Sequence, residues 1–205
     1  MLKIYLTRHG QDRDNLNGLL NGQRDEPLTD LGIFQAKDLA QKILQIGLRF
    51  DKIYSSPLQR AFKTGKIIAE SQGIAKPEVI KNLIERNFGE MTGEPISSIE
   101  EKCSPNIIKA EVVVYFLKVK GAETFPKLLR RAKRVLGEVK KRHKDGNILL
   151  VTHGDFGKMI FAAYYKIKWE KALRMFHFGN GELIELSKGL KVKDAHMLAV
   201  KQYNR

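Results

Sequence analysis

Two histidines, two arginines and one carboxylate in this chain of 205 residues stand where strand-like runs end. "LTRHGQDRDN" (6–15) follows the run "MLKIYL" and sets Arg8, a fixed cation, beside His9 and Gly10. His9 titrates near neutrality and Gly10 frees the backbone. Arg60 falls in the first turn of a helix that follows a second strand. Glu85 follows a third extended segment, with Gly89 close behind. His153 and Gly154 lie where a fourth strand becomes a helix. Open α/β sheets bind ligands at the carboxyl ends of their strands. If these strands are parallel neighbours, all four points open onto one sheet edge. The set suits phosphoryl transfer. Arg8 and Arg60 can each present a planar fork to a phosphate dianion. The backbone N–H groups that open the helix after His153 can add to the anion site. A neutral imidazole nitrogen can attack phosphorus and hold the phosphoryl group. A carboxylic acid can protonate the leaving oxygen and then deprotonate the attacking water.

The elements that must position these groups alternate between strand and helix. "LKIYL" reads as a strand. "LTDLGIFQAKDLAQKILQIG" reads as a helix capped by Thr29, with Leu31, Phe34, Leu39, Ile43 and Ile46 on its apolar face. "DKIYSS" is a second strand, followed by the helix "SPLQRAFKTGKIIAESQG", with Ser56 as cap, Pro57 at the first helical position and Gly73 at its end. "PEVIKNLIE" is a third extended segment. "GNILLVTHG" is a fourth strand leading into the helix "DFGKMIFAAYYK". "GELIELSKG" and "LKVKDAHMLAV" close the chain as a hairpin. The apolar, β-branched run "IIKAEVVVYFL" inside residues 93–124 fits a strand or a helix, and its length favours helix. This order predicts an α/β fold with a largely parallel sheet covered on both faces, in a single domain spanning 1–205.

The net charge is +14. In "PKLLRRAKRVLGEVKKRHK", Leu128, Leu129, Ala132, Val135, Leu136 and Val139 form one apolar helical stripe. Arg130, Arg131, Lys133, Arg134, Lys140, Lys141 and Arg142 fall mostly on the rest of the surface. A solvated basic face is what any surface helix shows opposite its stripe, so nucleic acid is not an expected partner. No run is long and apolar enough for a membrane span, no signal peptide opens the chain, and Cys103 is the only cysteine. A cytoplasmic protein without disulfides is the expectation. No histidine–cysteine spacing suits zinc, and no phosphate loop of the nucleotide-binding type is present. His143 is expected to be solvated, and His177 and His196 receive no role.

The motifs together resemble the histidine phosphatase superfamily, the phosphoglycerate mutase-like enzymes. Beyond "LTRHGQDRDN", the segments "NGQRDEPLTDLG", "IYSSPLQRA", "LIERNFGEMTG", "GAETF" and "ILLVTHGD" follow in the family's order. The resemblance covers roughly residues 2–186. It implies a three-layer α/β/α sandwich around a mostly parallel mixed sheet. It implies that His9 is the phosphorylated nucleophile, that Arg8, Arg60 and His153 hold the phosphoryl group, and that Glu85 is the proton donor. Asn15 matches a phosphate contact, Asn21, Gly22 and Gln23 the loop on the substrate side, and Gly154 a backbone donor. Asp155 competes for the donor role, since a related branch uses an aspartate beside its second histidine. Gln11 and Asp12 depart from the family's usual Glu then Ser or Thr. A carboxylate at Asp12 is unfavourable beside phosphate unless it points away or pairs, with Arg13 the nearest cation in sequence. Glu90 and Met91 also depart from the pattern, and Arg86 and Glu90 read as salt-bridge residues.

The resemblance therefore implies a metal-independent phosphomonoester hydrolase, without a cofactor, acting on a small phosphorylated metabolite. A cofactor-dependent phosphoglycerate mutase is the alternative. The short span from Glu85 to His153 favours the phosphatase type, unless "IIKAEVVVYFL" folds over the site with Lys118 and Lys120 gripping a substrate carboxylate. An idle phospholigand- or RNA-binding protein on the same scaffold is the third reading, and the retention of His9 and Glu85 argues against it.

Overall fold

Alternate residues of the strands face opposite ways, and here both ways are apolar. The computed structural model describes residues 1–187 and 195–199. Strand β1 (Lys3–Arg8) pairs in parallel with β6 (Asn147–Thr152) and antiparallel with β7 (Leu183–Leu186). On the far side of β6 lie β2 (Lys52–Ser55) and then β3 (Glu78–Val79), both parallel, while β8 (His196–Leu198) runs antiparallel beside β7. The order is β3-β2-β6-β1-β7-β8. Ile4, Leu6, Ile148, Leu150, Ile184 and Leu186 face one core. Tyr5, Ile53, Leu149, Val151 and Leu183 face the other. Strands buried on both faces read as continuous apolar runs, as β1 and β6 do.

Helices cover both faces. On the second core lie α2 (Asp30–Gln45) and α3 (Gln59–Gln72); on the first lie α5 (Phe125–Arg142), α6 (Gly154–Tyr165) and α7 (Trp169–Met175). Thr29 caps α2, its hydroxyl accepting from the Gly32 N–H at 3.1 Å, as its residue type predicts. The buried face of α2 runs through Gly32, Gln35, Ala36, Leu39, Ala40 and Ile43. Phe34 and Ile46 lie off it and are exposed, contrary to expectation: the small residues let the helix pack closer on its other side. Helix α3 starts at Gln59 with Leu58 as its flanking residue, so Pro57 lies outside it and Ser56 is not its cap. Gly73 ends it in the left-handed conformation (φ +66°), as predicted. The stripe of α5 is buried as read except at Leu129, which is partly buried, and Arg131 is buried beside it.

A third, smaller core joins Leu20, Phe88, Met91, Ile99, Cys103 and Phe116. It belongs to a cap built from α4 (Ile99–Cys103) and a hairpin of β4 (Ile107–Lys109) and β5 (Val114–Phe116). The run read as a helix is therefore a hairpin. Its Ile and Val residues lose side-chain freedom in a helix and pack well on a pleated surface, and the two faces of β5 serve different cores through Tyr115 and Phe116. The third extended segment is also shorter than read: after Val79 the chain turns through a tight helical turn at Lys81–Leu83. The closing hairpin is present as the β7–β8 pair, although residues 188–194 and 200 lie outside the described residues. Among the described residues no helix is long and apolar enough to cross a membrane.

Candidate active site

The carboxyl ends of β1, β2 and β6 lie side by side, with Arg8 paired to Thr152 and Ser55 to Val151. This brings the chain after each strand to one edge, as the sequence order requires. His9 is buried there, and Gly10 makes its placement possible. A Cβ on Gly10 would stand 2.2 Å from the Gly32 carbonyl oxygen, so the loop after β1 packs directly on the first turn of α2. His9 Nδ1 lies 2.6 Å from the Gly10 carbonyl oxygen. A carbonyl can only accept, so Nδ1 carries the proton and Nε2 keeps its lone pair. Arg60 Nε donates to that Nε2 at 3.2 Å. The His153 ring stands edge-on to His9, with centroids 5.1 Å apart. Burial, reinforced by nearby Arg60, holds both imidazoles well below their ordinary pKa and therefore neutral.

Arg60 is fully buried, and each of its three guanidinium nitrogens has a partner. Its Nη1 donates to the Arg24 carbonyl (2.5 Å) and its Nη2 to the Gly22 carbonyl (2.8 Å). Its Nε also lies 3.1 Å from Asp12 Oδ2. The expected pairing of Asp12 with Arg13 is thus wrong. Asp12 points inward and pairs with Arg60, because its Oδ1 caps α1 (Arg13–Leu16) by accepting from the Asn15 N–H and fixes the carboxylate over the pocket. Asn21 Nδ2 donates to Oδ2 at 2.5 Å. Gln23 Nε2 donates to the Glu85 carbonyl at 2.9 Å. The loop from Asn21 to Arg24 therefore wraps Arg60 and ties it to Glu85. Asn15 Oδ1 accepts from Asn180 Nδ2, which also donates to the His9 carbonyl.

The Glu85 carboxyl group sits at the start of α6. Oε1 accepts from the N–H groups of Arg86 and Phe156, and Oε2 from that of Asp155. Two of the N–H groups expected to greet phosphate are thus taken by Glu85. Burial first, and Asp155 second, raise its pKa to about 7 despite these donors and Arg60. Asp155 itself is held by Arg86 Nε at 2.7 Å. Arg86 is almost fully buried between the rings of Phe88, Phe116 and Phe125. Arg86 and Glu90 do form salt bridges, the latter with Lys120 at 3.3 Å.

Arg8 Nη1 donates to the Phe178 carbonyl at 3.0 Å, and a Cβ on Gly154 would stand 3.8 Å from its guanidinium carbon. Arg8 Nε and His153 Nδ1 are buried without a hydrogen-bond partner. A buried guanidinium N–H without a protein acceptor is rare, and this one is available to donate to an anion. The family model of the histidine phosphatase superfamily (branch 1) matches residues 4–195.

The chain belongs to this superfamily.

Among its relatives in the superfamily, a 2,3-bisphosphoglycerate-dependent phosphoglycerate mutase from Parvibaculum lavamentivorans is 31% identical over 84% of each chain. Phosphoserine phosphatase 1 from Hydrogenobacter thermophilus is 34% identical over 75% of this chain and 71% of its own. Phosphoserine phosphatase from Entamoeba histolytica, solved in complex with 3-phosphoglyceric acid, is 27% identical, with a TM-score of 0.73 over 90% of both chains. The superfamily fold accounts for the three layers and the mixed sheet.

Several residues of this site escaped the sequence reading. Ser56, read as a helix cap, instead places its hydroxyl 2.7 Å from His153 Nε2. Asn180 locks the His9 and Asn15 segments together. Arg131, read as surface charge, is paired with Glu123 and donates to the carbonyls of Asn82, Ile84 and Glu85. The spacing of Glu123 and Arg131 across the start of α5 was the available signal. His143, read as solvated, is half-buried, with Nε2 2.9 Å from the Tyr54 hydroxyl. His177 is exposed at the surface, and desolvation by its packed neighbours, with Arg8 nearby, lowers its pKa to about 4. Among the described residues no group of three or more His, Cys, Asp or Glu could hold a metal ion.

Proposed function

We propose that this chain is a metal-independent phosphomonoester hydrolase working through phosphohistidine at His9. The buried Arg8 Nε, an N–H donor that no protein acceptor takes, carries the reading: it sets a fixed cation beside the neutral imidazole of His9. His9 Nε2 attacks phosphorus and the bond to the leaving oxygen breaks, with Glu85 giving that oxygen its proton. Water then attacks the phosphorus, Glu85 takes back a proton, and the P–N bond breaks to release phosphate. Arg8, Arg60 and His153 stabilise the charge on the equatorial oxygens. Asn15 adds an amide contact, Gly154 a backbone donor, Asn21 holds Asp12, and Gly22 and Gln23 hold Arg60 and Glu85 in place. A phosphorylated metabolite with a small leaving group, acted on in the cytoplasm, is the substrate class, in keeping with relatives named phosphoserine phosphatase.

The mutase relative is the specific reason to weigh transfer against hydrolysis. A mutase must hold the second anionic group of its substrate and exclude water. Lys120, a candidate grip, is paired with Glu90 and largely exposed, and Lys118 is exposed. The phosphoenzyme should therefore partition to phosphate. Feeding phosphoserine and 3-phosphoglycerate, the latter with and without 2,3-bisphosphoglycerate, and separating products by NMR tests this. Inorganic phosphate should dominate. Formation of 2-phosphoglycerate faster than phosphate would overturn the hydrolase reading.

A further inference from the structure

Asp12 is an anion already in the anion pocket. Its carboxylate is fully buried, 3.1 Å from Arg60 Nε and 4.0 Å from His9 Nε2. Arg60 Nε is shared between Asp12 Oδ2 and His9 Nε2. A phosphoryl group arriving at Nε2 must displace that N–H, and its oxygens then come to rest against Oδ2. A dianion and a carboxylate in contact in a dry pocket cannot both stay charged. We propose that Asp12 is the resident counter-ion of the phosphoryl pocket and takes up a proton when a dianion binds, making anion affinity pH-dependent.

The hydrogen bonds permit this exchange. As a neutral acid, Asp12 keeps Oδ1 as acceptor for the Asn15 N–H, and Oδ2 still accepts from Asn21 while its new O–H donates to a phosphoryl oxygen. The proton comes from solvent, and the displaced Arg60 Nε turns to the bound anion. The charged and titratable groups facing Asp12 are Arg60 from α3, Arg8 at the end of β1, His9 just after it, and Asp14 beside it on α1. Burial already favours the neutral carboxyl, with Arg60 opposing. Two roles follow for one side chain. Without substrate, Asp12 keeps Arg60 aimed at His9. After turnover, it regains its charge by losing the proton, which weakens the hold on product phosphate.

The inference rests on the phosphoryl-pocket reading above, and sulfate separates the two. Sulfate stays a dianion at every working pH, so it supplies no proton of its own. Glu85→Gln removes the carboxyl group of the site whose pKa lies nearest neutrality. In the Glu85→Gln protein, sulfate binding is measured by calorimetry in buffers of different ionisation enthalpy. Uptake of about one proton is expected, with affinity falling towards tenfold per pH unit above the pKa of free Asp12. Adding Asp12→Ser keeps an oxygen cap for α1 and should remove that uptake and flatten the pH dependence. Asp12→Asn serves as a second variant, with thermal unfolding confirming that each is folded. Binding by the Glu85→Gln protein with no proton taken up overturns the proposal, whatever the variants do. Uptake that persists in Asp12→Ser assigns the proton to another group of the pocket, His9, His153 or Asp14, and overturns it as well. Failure of sulfate to compete with aryl phosphate turnover sinks the phosphoryl-pocket reading instead, independently of the proton count.

Discussion

Replacing Glu85 with glutamine should change three measurable things, each with a sign fixed by the site. Burial and Asp155 raise the Glu85 pKa from the ordinary 4.5 to about 7. Between those values the folded protein holds a proton that the unfolded chain releases, so stability falls as pH rises through that window. At about 1.4 kcal/mol per pH unit the full penalty is about 3 kcal/mol, absent at pH 4 and complete by pH 8. Glutamine carries no such proton. The stability difference between wild type and Glu85→Gln, from urea unfolding at a series of pH values, should therefore move by about 3 kcal/mol in favour of the variant as pH rises. The catalytic effect has its own sign. The acid form of Glu85 gives the proton, so the phosphorylation step should decline above about pH 7 in the wild type and lose about 10²–10⁴-fold in Glu85→Gln with an alkyl phosphate. With 4-nitrophenyl phosphate, whose leaving group needs little help, the same step should change little. Slower water attack should then expose a burst of nitrophenolate. Rapid-quench single turnovers read the phosphorylation step directly. Equal losses on alkyl and aryl esters would refute the proton-donor assignment. A pH-independent stability difference would refute the buried neutral carboxyl.

Asp155→Asn removes the carboxylate that helps to raise Glu85, so the descending limb of kcat/KM should move to lower pH; a limb that stays in place contradicts the coupling. Arg86→Met leaves Asp155 without its buried partner and should destabilise the fold by about 3–5 kcal/mol, read by denaturant unfolding. His9 and His153 are neutral when folded but take protons when unfolded below about pH 6.5, so acid should cost up to about 3 kcal/mol per pH unit, and His153→Asn should halve that slope. Arg131→Met should lower turnover of alkyl phosphates more than of aryl phosphates, because Arg131 positions the Glu85 backbone; restoration by Arg131→Lys would support positioning over bulk packing.

The sheet and its edge were legible because β1, β2 and β6 carry apolar residues on both faces and each ends at a residue type that could do chemistry. Period and terminal residues are local signals, and the parallel pairing follows from helices placed between strands. The cap was not legible. "IIKAEVVVYFL" has a composition suited to either state, and what decides for the hairpin is contact of Ile108 and Tyr115 with one core and Phe116 with another. The same reason hid Arg131 and Ser56. Each has an ordinary local explanation, and only distant partners, the Glu85 backbone and His153, reveal its place. Asp12 was visible as an oddity in its motif, but its partner Arg60 lies on another helix, and sequence proximity pointed wrongly to Arg13.

The central claim is covalent catalysis at His9, and trapping the phosphoenzyme tests it most directly. The enzyme is mixed with ³²P-labelled aryl phosphate, quenched in base during turnover, digested and mapped. The account predicts acid-labile, base-stable label on the peptide containing His9, absent in His9→Ala, and formed in the presence of a chelator. Label on His153, or full turnover with no phosphohistidine at all, would contradict it.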